Sequence, residues 1–433
     1  MPEHAEGGGK VDVSAVLRRL GEARELPLDD PDRLRLEHAA LALVRDGQRR
    51  RRRDREREKT RADAAVLAAT AMGSPGRIAD AVVEEPGVAT VGTLGRRRIC
   101  YVCKAAYRTV NGLYHLLCPS CASSGTARRT ARTDLTRRRA LVTGGRTKIG
   151  HHVALKMLRD GAHVTITTRF PDDAARRFAG TGDWAGRLRI VGIDLRDPRQ
   201  VVALTDRLLG DGDPLDILVN NAAQTIRRPA SAYAALAGEE RRELTPGWAA
   251  VPSGVVPAEE EAAGLPDVSG LLPDLSPANS WTARIGGIDP VEMLEVQLVN
   301  AVAPFLLIDR LLPLMLAARG ERRYIVNVSA VEGQFAVTNK TGRHPHTNMA
   351  KAALNMLTRT SAADLAAQDV HLCAVDTGWI TDEQPAPVRD RLDRRTPLDV
   401  IDGAARVYDP IVRGEAGHPV HGVLLKNYEV APW

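Results

Sequence analysis

A short apolar strand, a glycine-containing turn and an apolar helix follow one another after residue 138. Ala140-Leu-Val leads into TGGRTKIG at residues 143–150, and an apolar-periodic helix continues through Leu158. The next segment, HVTITTR, has the composition of a second strand. Strand, Gly-rich turn, helix and strand in this order predict a βαβ unit that binds a dinucleotide, because such a turn brings backbone N–H groups close to a pyrophosphate at a helix N-terminus.

Further apolar segments of strand length alternate with helical stretches as far as the C-terminus. They are LRIVGIDL, LDILVNNAA, RYIVNVSA, VHLCAVDTG and GVLLK. Because this alternation forms a parallel sheet with helices on both faces, the predicted fold class is α/β, with a doubly wound parallel (Rossmann) sheet in residues 135–433. Ahead of it we expect an Arg- and Ala-rich helical region, residues 1–95, and a small cysteine module, residues 96–130.

Four of the five cysteines lie in that module, as CYVC and CPSC with fourteen residues between them. Zinc prefers four tetrahedral ligands, and each CxxC supplies two thiolates from one tight turn. Two disulfides or four unrelated thiols are the alternatives, and a cytosolic chain disfavours disulfides. We expect a structural, zinc-ribbon-like site without an open coordination position, formed by Cys100, Cys103, Cys118 and Cys121.

The N-terminal region is dominated by helix formers and charge. Strong helix formers run from Asp32 to about Ala71, with five arginines at residues 49–53. A mixed charge run usually marks a solvated helix; a nucleic-acid or acidic protein partner is the alternative. The net charge of +6 permits nucleic-acid binding without establishing it, and 4% aromatic residues argue against a base-stacking surface. Because we find neither a signal-peptide apolar region nor an 18-residue apolar run, we expect a cytoplasmic protein that does not bind membranes.

Several short motifs in residues 135–433 together resemble those of the short-chain dehydrogenase/reductase (SDR) family. Residues 143–150 resemble its TGxxxGxG turn, Asp194-Leu195 its adenine-contacting pair, and Asn220-Asn221-Ala222-Ala223 its NNAG motif. Asn300, Ser329 and Lys351 stand where the family has its catalytic Asn, its catalytic Ser and the Lys of YxxxK. The resemblance implies a Rossmann reductase in which Ser329 and Asn300 order the reacting oxygen and a relay water, and Lys351 binds the nicotinamide ribose.

Two departures from the family pattern affect the site. Lys148 replaces the second glycine of the turn, and its ammonium has the reach to contact a phosphate. Thr347 stands in place of the tyrosine, and its hydroxyl is a far weaker acid than a phenol of pKa about 10. The neighbouring His346 could donate a proton at neutral pH, Thr347 could relay one from Lys351, or the chain could bind nucleotide without turnover. His346 could also belong to a plain surface turn, RHPH. The candidate catalytic residues are therefore Asn300, Ser329, His346, Thr347 and Lys351.

The end of the second strand determines the expected cofactor. An NAD enzyme places Asp or Glu there, whereas this strand ends Thr167-Thr168-Arg169, and Arg146 lies inside the turn. Two arginines and two hydroxyls suit a 2′-phosphate, so we expect NADP(H). The predicted cofactor-binding residues are Thr143, Gly144, Gly145, Arg146, Lys148, Ile149, Gly150, Arg169, Asp194, Leu195, Asn221, Ala222, Ala223 and Lys351.

A long insertion separates Asn220 from Asn300, at about residues 225–288, and is rich in Pro, Gly, Ala and Glu. Because it follows the fourth strand, it emerges at the carboxyl edge where such sheets bind ligands. Substrate recognition or gating is one interpretation, and a dimer arm or a flap packed on the zinc module is the other.

Taken together, these features predict an NADP(H)-dependent oxidoreductase that acts on a carbonyl/alcohol pair with a non-standard proton donor. The substrate would be a small or carrier-bound molecule, and we expect a homo-oligomer. The alternative is a non-catalytic NADP(H)-binding sensor or adaptor whose zinc and Arg-rich regions bind a partner.

Overall fold

The computed structural model describes residues 11–237, 265–392 and 394–433. The chain divides into two compact units. The first comprises Met1–Ala65 with Leu94–Arg96, and the second comprises Val66–Thr93 with Arg97–Trp433. Apart from Leu94–Arg96, the cysteine module and the βα region belong to the second unit.

Two helices make up most of the first unit. Helix α1 spans Val13–Arg24, and Asp12 caps it by accepting the Ala15 N–H. Helix α2 spans Pro31–Ala68 and continues through Gly47, so the predicted helix is confirmed. None of its residues is buried, and the arginines at 49–53 are all exposed. The charge run is thus a solvated helix face, as its mixed composition predicts.

A two-stranded ribbon and a helix build the cysteine module. Strand β1 (Thr90–Ile99) pairs antiparallel with β2 (Ala106–Asn111), and the first CxxC forms the turn between them. Helix α3 (Pro119–Arg129) begins at the second CxxC. Tyr107, Val110, Tyr114 and Leu117 of this module are buried.

The βα region forms an eight-stranded sheet of order β10-β9-β8-β7-β6-β3-β4-β5. Neighbouring strands from β5 to β9 are parallel, and β10 alone pairs antiparallel. The order reverses between β3 and β6, where a doubly wound sheet opens a crevice at its carboxyl edge. The predicted α/β Rossmann class is therefore confirmed. The strands are β3 (Arg139–Thr143), β4 (His163–Thr168), β5 (Leu188–Gly192), β6 (Ile217–Asn220), β7 (Arg323–Ser329), β8 (Val370–Asp376), β9 (Leu424–Lys426) and β10 (Glu429–Ala431).

Helices cover both faces of this sheet. One core cluster joins the sheet to helices α4, α5 and α12, and a second joins its other face to α6, α9 and α10. The inner strands are buried on both sides, which explains their continuous apolar sequences. The helices are α4 (Lys148–Arg159), α5 (Pro171–Ala179), α6 (Pro198–Asp211), α7 (Ala234–Ala237), α8 (Pro290–Gln297), α9 (Ala303–Leu316), α10 (Pro345–Ala366), α11 (Ala386–Leu392) and α12 (Val400–Glu415).

Helices α8 and α9 are joined by a π-helical turn at Leu298–Val302 into one continuous helical run. Among the described residues, this run, Pro290–Leu316, is the stretch that is long and apolar enough to cross a membrane by length and composition. Half of its most apolar 18-residue stretch is buried, and Leu307 and Leu311 belong to the core on one face of the sheet. A core helix passes the same test of length and composition.

A buried ion pair fastens α3 to the start of α12. Arg129 Nη1 lies 2.6 Å from Asp399 Oδ1, and its Nη2 donates to the Val83 carbonyl. Asp399 caps α12 and also accepts the Val83 N–H. The adjacent Tyr114 hydroxyl donates to Asp402 at 2.5 Å. These bonds connect the cysteine module and the segment before it to the Rossmann sheet.

We predict that Arg129→Met lowers the free energy of unfolding by about 3–5 kcal/mol, because it leaves the Asp399 carboxylate buried without its counter-ion. Urea unfolding followed by circular dichroism measures the change. Arg207→Met, which removes a guanidinium from an exposed pair with Asp211 on α6, is the control and should cost less than about 1 kcal/mol. Equal losses in the two variants would contradict the assignment.

Candidate functional site

A cavity of about 380 Å³ opens at the carboxyl edge of the sheet, beside the crevice between β3 and β6. Most of the predicted cofactor-binding residues lie in its wall, so the structure brings together segments that are far apart in the sequence. Those residues are Gly144, Arg146, Lys148, Ile149, Gly150, Arg169, Asp194, Leu195, Asn221, Ala222 and Ala223.

The turn after β3 is packed so closely that none of its three glycines can be replaced without a clash; a Cβ on Gly145 would lie 2.6 Å from the Ile166 Cβ. Gly144 has φ +66°, and a Cβ there would lie 2.9 Å from the Ala222 Cα. A Cβ on Gly150 would lie 2.2 Å from the Gly144 carbonyl oxygen. Thr143 and Gly145 do not line the cavity; the Thr143 hydroxyl accepts the N–H groups of Asn221 and Ala222 and so holds the turn against the end of β6. The result is an open backbone surface of the kind that a pyrophosphate requires.

Most of the cationic side chains around the cavity are already paired. Arg146 Nη1 lies 2.5 Å from Asp173 and also donates to the Ser269 carbonyl. Lys148 Nζ lies 2.8 Å from Asp80. The sequence suggests both cations for phosphate contact, whereas in the structure these donor atoms contact protein acceptors.

Arg169 differs from these cations. In the described part of the chain its guanidinium has no ion pair and no hydrogen bond, and it lies 4.7 Å from the centre of the Tyr233 ring. It lines the cavity at the end of β4, where the sequence predicts the 2′-phosphate contact. Its donors are thus available to an anion.

Asp194 and Arg196, which follow the neighbouring strand β5, form a pair that also lines the cavity. Arg196 Nη2 lies 2.5 Å from Asp194 Oδ2. Burial raises the pKa of Asp194, but the hydrogen bonds from Arg196 outweigh burial and hold the pKa below its ordinary value. The carboxylate is therefore charged and fixed at neutral pH.

Lys351, from α10, is buried behind the cavity. Its Nζ donates to the Val328 carbonyl at 2.8 Å. Burial lowers the pKa of Lys351 to about 8, and the charge of Glu332 opposes that shift. The ammonium is therefore a considerably stronger acid than an ordinary lysine.

The Ser329 hydroxyl is directed at a residue that the motif analysis missed. Ser329 Oγ donates to Asn355 Oδ1 at 2.6 Å, and Asn355 Nδ2 donates to the Gly333 carbonyl. Asn355 lies one helical turn after Lys351, so an amide on the buried face of α10 was the available signal. Because a hydroxyl has a single proton, Ser329 must leave Asn355 before it can donate to a substrate oxygen.

Asn300 and Thr347 hold the loop that follows β6. Asn300 lies in the π-helical turn, and its amide both accepts from Gln224 N and donates to Gln224 O, each at 2.8 Å. The Thr347 hydroxyl donates to the Thr225 carbonyl at 3.3 Å. Gln224 and Thr225 line the cavity, whereas Asn300, Ser329, His346, Thr347 and Lys351 lie behind its wall.

His346 is buried between helices and does not line the cavity. Neither ring nitrogen has a hydrogen-bond partner among the described residues, while the backbone carbonyl of His346 accepts from Gln297 of α8. Burial lowers the pKa of His346, with Glu292 opposing the shift. The neutral imidazole is thus favoured near pH 7.

The described ends of the insertion touch the site at two places. Tyr233 lies beside Arg169, and the Trp281 ring stacks on His344 with centres 4.1 Å apart. His344 precedes α10 in a left-handed conformation, with φ 39°. The middle of the insertion, residues 238–264, lies outside the described residues.

The four cysteines predicted to bind zinc lie together. Their sulfur atoms are all within 4.8 Å of one another. Cys118 directly precedes α3 and Cys121 lies in its first turn, and burial raises the pKa of both thiols. A hydrogen bond from the Ala105 N–H lowers the pKa of Cys103 to about 7. Free cysteines gathered in this way suit a soft divalent metal.

Two family models match the chain on either side of the insertion. Residues 138–240 match the model for short chain dehydrogenase, and residues 269–399 match that for enoyl-(acyl carrier protein) reductase. An uncharacterized protein of Acanthamoeba polyphaga mimivirus is 32% identical over 337 residues, which cover 72% of this chain and 71% of that protein. The chain belongs to the short-chain dehydrogenase/reductase family, as its motifs predict. Family membership classes it with oxidoreductases.

Other relatives match shorter segments. A probable oxidoreductase of Streptomyces antibioticus is 41% identical over 92 residues, 21% of this chain and 30% of that protein. Peroxisomal 2,4-dienoyl-CoA reductase of Pongo abelii is 35% identical over 135 residues, 30% of this chain and 38% of its own length. Among solved structures, NADPH-bound carbonyl reductase from chicken fatty liver aligns with TM-score 0.49 and 20% identity, over 71% of this chain and 98% of that one.

Proposed function

We propose that the protein is an NADP(H)-dependent oxidoreductase that acts on a carbonyl/alcohol pair. The observation that supports this most directly is Arg169, a cation without an ion pair among the described residues, in the wall of a cavity beside the close-packed turn after β3. An unpaired guanidinium at the end of the second strand suits a 2′-phosphate, because its planar donors match phosphate oxygens.

The residues around the cavity fit this cofactor. Backbone N–H groups of residues 143–150 would receive the pyrophosphate, Asp194 and Leu195 the adenine, and Arg169 the 2′-phosphate. Asn221, Ala222 and Ala223 would border the nicotinamide half, and Lys351 its ribose. When bound, the cofactor supplies hydride exchange with the substrate carbon.

For the proton, we assign the path to Lys351 and Thr347. Thr347 contacts Thr225, which lines the cavity, and Lys351 lies one helical turn further along α10. A lysine with a pKa of about 8 can return a proton near neutral pH, and a threonine hydroxyl can relay it. Ser329 and Asn300 would order the reacting oxygen and a relay water, with Ser329 leaving Asn355 to do so. His346 remains the alternative donor.

Cofactor selectivity tests the proposal. Wild-type protein should bind NADPH more tightly than NADH, and Arg169→Ala should weaken NADPH binding by roughly 10- to 150-fold, the equivalent of about 1.5–3 kcal/mol for a charge-assisted hydrogen bond. NADH binding should change little. Isothermal titration calorimetry measures both affinities. Arg159→Ala removes the same charge from the exposed end of α4 and is the control. Equal wild-type affinities for the two cofactors would refute NADP(H).

For the cysteine cluster we propose one structural zinc ion per chain, held by Cys100, Cys103, Cys118 and Cys121. Four thiolates fill a tetrahedral site, which leaves no position for catalysis. Because such thiols stay reduced in a reducing compartment, this site also supports a cytoplasmic location.

A non-catalytic sensor or adaptor is the second candidate. The missing phenol at Thr347, together with Ser329 and Asn300 bonded to protein groups, favours binding without turnover. In this case nucleotide binding would control which protein or nucleic-acid partner binds the first unit, where α2 exposes the arginines at 49–53. Turnover of NADPH with a panel of aldehydes and ketones separates the two: binding without any turnover supports the sensor.

A further inference from the structure

We propose that the described ends of the insertion after β6 form part of the cofactor site, and that Tyr233 sets the preference for a 2′-phosphate by holding Arg169 in place. The inference rests on the proposed NADP(H) function and extends it. It assigns the described parts of the insertion to the adenosine end of the cofactor, in addition to any role near the substrate.

The insertion contributes six residues to the cavity wall. Its lining residues come from both of its described ends, and they are Thr225, Ile226, Arg228, Tyr233, Ser269 and Leu271. A segment that only served substrate recognition would not have to reach the end of β4, where Arg169 lies.

Three side chains form a contact at that end. The Arg169 guanidinium lies 4.7 Å from the centre of the Tyr233 ring and 5.5 Å from that of Phe170. The two rings are nearly parallel, with an interplanar angle of 20° and centres 5.8 Å apart. A guanidinium held against aromatic faces keeps its donors while it loses side-chain freedom. Tyr233 therefore restricts the Arg169 side chain before the phosphate binds, so Arg169 loses less conformational entropy on binding.

The position of Tyr233 is itself fixed by the other end of the insertion. Leu272 N donates to the carbonyl of Ala232, the residue before Tyr233. A few residues before Leu272, the Ser269 carbonyl accepts from Arg146 and the Val268 carbonyl accepts from Arg177 of α5. These bonds tie both described ends of the insertion to the dinucleotide turn and to α5. Tyr233 is thus a positioning residue that acts through Arg169.

Calorimetric titration of the full-length chain with NADPH and with NADH tests the inference. Tyr233→Ala should weaken NADPH binding by about 2- to 30-fold, the range of a cation–π contact, and leave NADH binding within about twofold. Tyr233→Phe keeps the aromatic face and should restore the wild-type ratio. In the Arg169→Ala background, Tyr233→Ala should have no further effect on NADPH.

The possible results distinguish failure of this inference from failure of the proposed function. A loss that is equal for both cofactors, or one that persists in the Arg169→Ala background, would mean that Tyr233 only shapes the cavity, and would overturn the inference. An unchanged NADPH affinity in Tyr233→Ala would overturn it as well. If Tyr233→Ala does not fold, Tyr233→Leu gives the same comparison with a bulky side chain. Failure of the wild type to bind NADPH would instead overturn the proposed function, and the inference with it.

Discussion

Replacing Lys351 with alanine should reduce turnover by roughly 10²- to 10⁴-fold, the contribution of a general acid–base group. Lys351 is buried and donates to the Val328 carbonyl, and its pKa of about 8 makes it a stronger acid than an ordinary lysine. The measurement is kcat with NADPH and any carbonyl compound that the substrate panel identifies. Lys340→Ala is the matched control, since Lys340 is exposed and contacts the carbonyls of Val331 and Glu332. Similar losses in both variants would contradict a catalytic lysine.

The neighbours of Lys351 decide which group delivers the proton. If Thr347 is a relay, Thr347→Ala should retain measurable turnover. If His346 is the donor, His346→Ala should lose most of the rate. The pH dependence distinguishes them further. If the Lys351 ammonium is required, the rate falls as pH rises through about 8. If the His346 imidazolium is required, its lowered pKa makes the rate fall already below pH 6.5.

Restoring the phenol gives the reverse test. If Thr347→Tyr strongly accelerates the reduction of ordinary ketones, the native site lacks an effective donor, which favours the sensor. If the rate does not rise and Lys351→Ala abolishes it, the native residues form a working proton path. Thr347 is buried and contacts the Thr225 carbonyl in the cavity wall, so the rates are compared only after calorimetry has shown that Thr347→Tyr binds NADPH as the wild type does.

The sheet and the cavity wall could be predicted because both depend on local sequence. Each inner strand is an unbroken apolar segment, as burial on two faces requires. The turn needs Gly144 and Gly150 because other residues would clash there. Since parallel strands end at the same edge, motifs that follow β3, β4, β5 and β6 necessarily meet. That geometry alone brings Arg169, Asp194 and Asn221 to one cavity.

The side-chain contacts between distant segments could not be predicted from the sequence. Lys148 meets Asp80, and Arg129 meets Asp399, across long stretches of sequence. Tyr233 reaches Arg169 only because both described ends of the insertion are tied together. No periodicity or motif encodes such contacts, because they arise when separate elements pack. The same reason explains why the side-chain engagement of Ser329 by Asn355 was missed.

Substitution of Cys100 by serine should remove the zinc ion and destabilise the second unit by several kcal/mol, because structural zinc sites contribute about 10–16 kcal/mol of binding free energy to folding in isolated peptides. The effect should extend beyond the module. Tyr101 lies between Cys100 and Cys103, and its hydroxyl accepts the Trp379 N–H at 2.9 Å, in the loop that follows β8. Helix α3, which carries Cys121, also holds α12 through Arg129. Loss of the metal should therefore loosen a loop next to the cofactor cavity.

Elemental analysis and thermal unfolding measure the two parts of this prediction. We expect one zinc per wild-type chain and none that is tightly bound in Cys100→Ser, with a lower Tm for the variant. Cys373→Ala removes a buried thiol of the sheet core that is not near the cluster, so it should lower the Tm without changing the zinc content. Binding of NADPH should weaken in Cys100→Ser and stay near wild type in Cys373→Ala at a temperature where both are folded. Wild-type protein without zinc, or a Cys100→Ser variant with full zinc content, would refute the site. If zinc is lost and NADPH affinity is unchanged, the module is only a stabilising element, because the contact of Tyr101 with the loop after β8 then does not reach the cavity.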